Sequence, residues 1–259
     1  LKKALEKKEN PFLSWGLGAA LAASLALYVF TKFFLFAFVS LAAFLALVFI
    51  DVAPQKWDKK SIWHAGKEVA IAVGAALAIW VILCVVLQTS SPIDVVTSCS
   101  MVPVLERGDL IIVQGGEINA PKVSYSGSMP QMYGQKRACT ISRDGAPSSS
   151  MCTSAVIVDN QSFGFNSSND VIVYVANPSS YGLIVHRAWL ALEDGEGKTV
   201  FVTKGDNNQV IDYEGGIAFP ERSEVHGKVI ARIPYVGLLK LFLFGQFEEP
   251  PGCKIRVSQ

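Results

Sequence analysis

Three apolar stretches follow one another at the start of the chain, at about 11–30, 33–50 and 68–89, each nearly free of charge. Each is close to the roughly 20 residues that a helix needs to cross the hydrocarbon core of a bilayer. Buried helices of a soluble core are the alternative reading, but soluble cores seldom hold three such runs in succession. A cleavable leader does not suit the first run, because two more follow it. The pattern predicts a membrane anchor of three transmembrane helices over 1–89. A chain that is 51% hydrophobic and only 17% charged agrees. The net charge of +1 carries no argument for nucleic acid.

Lysines predict the orientation. Lys2, Lys3, Lys7 and Lys8 precede the first stretch, and Lys56, Lys59, Lys60 and Lys67 lie between the second and third, whereas Lys32 alone separates the first two. Positive loops stay in the cytoplasm, so residue 90 onward is expected outside. Trp57 and Trp63 suit an interfacial belt.

From residue 90 the texture changes to short β-rich runs, at Leu110–Val113, Ala155–Val158, Val171–Val175, Val200–Val202 and Val225–Ile233, parted by Gly, Pro, Asn, Asp and Ser. Such punctuation predicts a small, mainly β domain over 90–236. Residues 234–247 are apolar, but too few to span and interrupted by Lys240. A C-terminal membrane-surface segment over 237–259 is expected. The sequons Asn160-Gln161-Ser162 and Asn166-Ser167-Ser168 fall on the predicted outer side.

Chemistry concentrates in four blocks: Ser98-Cys99-Ser100-Met101-Val102-Pro103 closed by Gly108-Asp109, Asp170–Tyr174, Ile184-Val185-His186-Arg187, and Thr203-Lys204-Gly205-Asp206-Asn207-Asn208 with Asp212 beyond. A serine hydroxyl is a weak nucleophile at neutral pH and needs a base beside it. A neutral imidazole supplies one, and a carboxylate orients the imidazole. In an extended segment Ser98 and Ser100 point to the same side, so the Ser98 hydroxyl can join the Ser100 N–H in an oxyanion hole. The same alternation turns Cys99 away.

In order and content these blocks, over roughly residues 90–240, resemble the type I signal peptidases of the archaeal and endoplasmic-reticulum branch, which pair serine with histidine where the bacterial branch pairs serine with lysine. The resemblance implies a membrane-anchored, mainly β fold: N-terminal transmembrane helices, then a signal-peptidase-like catalytic domain. It implies Ser100 as nucleophile, His186 as base, and Asp212 and Asp206 as the acidic partners, with Asp212 the orienter and Asp206 supporting its turn. Ser98 and Ser100 would form the oxyanion hole. Met101 and Pro103 would line shallow pockets for small side chains. Cys99 stands where the family usually has Gly.

The implied activity is a serine endopeptidase removing signal peptides from secreted and membrane precursors after small residues. No metal or organic cofactor is implied. Precursors and the bilayer are the expected partners, with the protein translocon a neighbour. The missing lysine base favours an archaeal over a bacterial source. Relative to the family core, residues 115–168 look like an insertion, whose Cys139 and Cys152 would form a disulfide, two unpaired thiols being the alternative; Cys253 has no obvious partner. The insertion leaves room for a specialised protease of surface or pilin-like precursors. An inactive precursor-binding relative is the non-enzymatic reading. Ser126-Gly127-Ser128-Met129-Pro130 mimics the nucleophile block, but its Pro follows Met directly and no Gly-Asp closes it, so Ser128 reads as a loop residue. Lys204 belongs to the Gly-Asp block rather than to a base position.

Overall fold

The computed structural model describes residues 11–53 and 58–258. Lys2, Lys3, Lys7, Lys8, Lys56 and Trp57, which enter the orientation reading, lie outside the described residues. The chain divides into two compact units, one of the helices through Ile82 with Leu238–Glu249, the other of Leu83–Gly237 with Pro250 onward.

In the first unit α1 (Pro11–Thr31) and α2 (Phe34–Val52) form a hairpin, and α3 (Lys59–Val86) follows. All three are long and apolar enough to cross a membrane. Small residues let α1 and α2 approach: Ala37 and Ala43 are buried, and Ser40 Oγ donates to Ser24 Oγ at 2.8 Å. The hairpin turns at Lys32, whose φ of 55° ends α1. α3 starts earlier than the apolar run at 68–89, because Asp58 accepts the Ser61 N–H at 2.9 Å as an N-cap and nothing breaks Lys59–Lys67. α4 (Leu238–Leu243) completes this unit. Tyr28 packs edge-on against Phe242, and its hydroxyl donates to the Phe247 carbonyl at 2.6 Å.

The second unit is β-rich. Strands β1 (Ile93–Val95), β2 (Leu110–Gln114), β3 (Lys122–Tyr125), β7 (Val171–Val175), β8 (Leu183–Asp194), β9 (Thr199–Lys204) and β10 (Val225–Ile233) form one sheet in the order β1-β2-β10-β7-β8-β3, with β9 also paired to β8. All pairs are antiparallel except β3 with β8. β8 is long enough to pair with β7 through its first half and β9 through its second. Val96, Met101, Leu105, Ile111, Val113, Val171 and Val173 make one core cluster, into which the Ser98–Pro103 block inserts Met101.

A second sheet contains β4 (Met132–Arg143), β5 (Ala146–Val158), β6 (Gln161–Gly164) and β11 (Ile255–Ser258), in the order β11-β4-β5-β6. β4 and β5 meet at Asp144-Gly145, both with positive φ (50° and 84°), the backbone of a tight hairpin. Of this hairpin the sequence suggested only Ala155–Val158 as strand. The rest is rich in Ser and Thr and lacks an apolar alternation, so its pairing is invisible in composition. The expectation for 237–259 also needs correcting: the structure divides that segment, and β11 is a strand of the second sheet because it pairs with β4.

Candidate active site

The chain leaves β1, turns through Ser98–Leu105 and returns as β2. Met101 anchors this turn: it is 1% exposed and packs into the core behind it. The turn is closed from below by Asp109, which accepts the Glu106 N–H at 2.9 Å and a bond from Arg232 at 3.1 Å. From the other side the Gly205–Asn207 turn docks on it. The Asn207 N–H donates to the Ser100 carbonyl at 2.7 Å, and Asn207 Nδ2 donates to the Cys99 carbonyl at 3.0 Å. Position 205 has to be glycine, since a Cβ there would lie 2.7 Å from the Ser100 carbonyl oxygen and 2.8 Å from the Asn208 side chain.

Ser100 Oγ lies 3.0 Å from His186 Nε2, and His186 Nδ1 lies 2.7 Å from Asp212 Oδ2. The imidazole comes from β8, where His186 pairs with Ile172 of β7, and Asp212 opens a short 3-10 turn after β9. Asp212 and His186 are both buried. Burial pushes the Asp212 carboxyl up, but the charge and hydrogen bond of His186, with hydrogen bonds from Thr203 and Tyr174, outweigh it and hold the carboxyl below its ordinary value. The Tyr174 hydroxyl donates to Asp212 Oδ2 at 2.9 Å and lies 3.1 Å from Thr203 Oγ1. Burial first, then the Asp212 charge, push the Tyr174 phenol up, so it stays a donor. Tyr174 had been read only as part of a strand; nothing in a lone strand tyrosine announces a partner 38 residues on.

Asp206, expected among the acidic partners as the support of its turn, pairs away from His186. It does not meet the imidazole. Arg187 Nε and Nη2 grip its two oxygens at 2.9 and 2.6 Å, and Arg187 Nη1 donates to the Ser167 and Asn169 carbonyls. Neighbouring strand residues face opposite sides, so His186 and Arg187 take different carboxylates. Asp206 therefore secures the turn that docks on Ser100. Lys204 is buried, donates to the Gly205 carbonyl at 3.3 Å and lies over the Trp189 ring. Ser128 sits in the loop between β3 and β4, His64 is exposed on α3, and His226 lies in β10. Ser98 Oγ is 3.2 Å from Ser100 Oγ, although the segment is a bend and not the extended run assumed from sequence.

No family model matches the chain. Over 192 residues it is 25% identical to the signal peptidase complex catalytic subunit SEC11C of Homo sapiens, covering 73% of this chain and 76% of that protein. SEC11C of Mus musculus gives the same values. The signal peptidase complex catalytic subunit SEC11 of Metarhizium acridum is 27% identical over 177 residues, 67% of this chain and 76% of the relative. The chain is a distant homologue of the signal peptidase catalytic subunits, the Ser–His branch of the type I family. These relatives are animal and fungal, so the expectation of an archaeal source gains no support from them.

In this signal peptidase homologue two clefts meet at Ser98, Ser100, Asn208 and Ile217. One is lined by Asp94–Thr97, Met101 and the start of β8 from Leu183. Met101 thus serves both core and cleft. Pro103, expected as a pocket residue, is exposed and lines neither cleft, because the turn carries it past the site. The other cleft is lined by Asn207–Asp212 and by the C-terminal segment.

Four cysteines of the signal peptidase homologue form two bridges. Cys139 and Cys152 join β4 to β5, and Cys99 joins Cys253. The second pair escaped the sequence reading. Cys99 and Cys253 are 154 residues apart, and nothing local connects them.

Proposed function

We propose that this chain is a membrane-anchored serine endopeptidase that removes signal peptides from secreted and membrane precursors after small residues. The observation that carries the reading is the hydrogen-bonded series Ser100–His186–Asp212, at 3.0 and 2.7 Å. His186 Nε2 takes the Ser100 proton as Oγ attacks the scissile carbonyl. Asp212 holds the Nδ1–H tautomer and stabilises the imidazolium that forms. The Ser98 hydroxyl and the Ser100 N–H receive the oxyanion. The imidazolium gives its proton to the leaving amine; the neutral imidazole then takes a proton from a water that attacks the acyl-Ser100 ester, and returns it to Ser100 Oγ as the acid product leaves. No step calls for a metal or organic cofactor.

An extended precursor suits the cleft beside β1. β1 is an edge strand of its sheet, and an added strand on its outer side would take over the Val95 N–H now held by the Asp94 carboxylate at 2.7 Å. Shallow apolar walls at Val95, Met101 and Val185 favour small side chains. The anchor is proposed to run over 1–89 and the catalytic domain over 90–236 together with the C-terminal segment from Pro250, outside the cytoplasm. The lysines before α1 and around Lys59–Lys67 support this orientation. So do two disulfides in the β-rich unit, since disulfides persist in oxidising compartments. The translocon is the neighbour that such a protease would serve.

Cleavage of a model secretory precursor by the detergent-solubilised full chain tests the proposal. Ser100→Ala and His186→Ala are each expected to lose about 10⁴-fold in rate, and Ser128→Ala to retain it. Retained cleavage in Ser100→Ala rejects the assignment. If wild type leaves a generic precursor intact, a narrow-substrate processing protease or an inactive binding relative becomes the better reading.

A further inference from the structure

A precursor lying across Ser100 has to occupy both clefts, since both open at Ser98, Ser100 and Asn208. The first is bounded by an edge strand and the start of β8, two extended segments between which several residues can lie. A precursor strand laid along β1 beside β8 puts its residues before the scissile bond in this cleft, where Val95, Met101 and Val185 form the shallow walls. The second cleft, of about 460 Å³, is left for the residues after the bond.

That second cleft has an unusual wall. Val210, Ile211 and Ile217 supply one part of its apolar lining, and Pro250, Ile255 and Val257 of the C-terminal segment supply another. The C-terminal part is tied to the nucleophile itself. Cys253 is bonded to Cys99, the residue next to Ser100. Asn207 Nδ2 donates both to the Cys99 carbonyl and to the Ile255 carbonyl at 2.8 Å, and the Val257 N–H donates to Asn207 Oδ1 at 2.8 Å. One covalent bond and one asparagine therefore hold nucleophile and wall at a set separation, and a wall that cannot retreat discriminates by size.

We propose that the C-terminal segment 250–257 is the specificity wall for the residues that follow the scissile bond, held in register with Ser100 by Cys99–Cys253 and Asn207. This rests on the endopeptidase reading above. Gly252 offers a clean test. It lines the cleft, and a Cβ there meets nothing within 4 Å, so a larger side chain extends into open space. Gly252→Phe narrows the cleft and Ile255→Ala widens it.

Two precursors that differ only in the first residue after the cleavage site, Ala in one and Leu in the other, compete in one tube, and the products are counted by mass spectrometry. The Ala-to-Leu product ratio does not depend on how much of a variant folds. Gly252→Phe is expected to raise the ratio about tenfold, and Ile255→Ala to lower it. A ratio unmoved in either variant, or a preference that shifts at the residue before the bond, overturns the proposal while leaving the endopeptidase reading in place. Wild type cleaving neither precursor overturns both.

Discussion

A buried carboxylate survives at residue scale only where its neighbours favour the charge, and Asp212 has a cation-forming imidazole and two hydroxyls to do so. Its folded value lies below the ordinary 3.8, so its contribution to stability is full above that pH and is lost as pH falls through the folded value. Asp212→Asn should remove this acid-side slope, read as unfolding midpoint against pH. Lys204 gives a slope of the same sign in an alkaline window, there as relief of a burial penalty. Burial first lowers it from 10.5 to about 8, despite the nearby Asp206 and Asp212. Between about 8 and 10.5 the unfolded chain then holds more protons than the native state, so this residue makes stability rise with pH over that window. Lys204→Met should flatten the rise in a thermal titration. Arg187→Met strands the buried Asp206 carboxylate and is expected to cost about 3–5 kcal/mol of stability, measurable by denaturation in detergent.

At the scale of elements, the two disulfides differ in what they constrain. Cys139–Cys152 closes a hairpin with a separation of 13, whereas Cys99–Cys253 spans 154. Chain entropy alone puts their stabilisation at about 3 and about 5 kcal/mol. Cys253→Ser should therefore lower the unfolding midpoint more than Cys152→Ser, in calorimetry of the two variants side by side. The β4–β5 hairpin also shows where sequence patterns fail. Its strands carry Ser148, Ser149, Ser150 and Thr140 where an alternating strand would carry apolar residues. The pairing is held by the backbone ladder, the disulfide and β11 instead. By contrast β7 and β8 are apolar along most of their length because they are buried in the sheet; β7 was readable whole as Val171–Val175, and β8 only at Ile184–Arg187.

At the scale of the whole molecule, the prediction concerns sidedness. A cysteine placed at Ser128, in the β3–β4 loop, should react with an impermeant thiol reagent from outside. One placed at Lys60, at the start of α3, should react only in inverted vesicles. The reverse pattern would place Ser100 and His186 in the cytoplasm and overturn the proposed function.

Local composition was enough to specify three apolar helices, because a bilayer demands a long uninterrupted run and such a run is visible residue by residue. Ser100, His186 and Asp212 were legible through the resemblance of four short, contiguous blocks to the Ser–His signal peptidases. Tertiary structure set His186 against Asp212 and Arg187 against Asp206, since strand alternation gives the two residues different faces. It brought Tyr174 to the carboxylate and Cys253 to Cys99. Each of these depends on the register of strands distant in sequence, and a register is set by the packing of the whole sheet, which no single segment encodes.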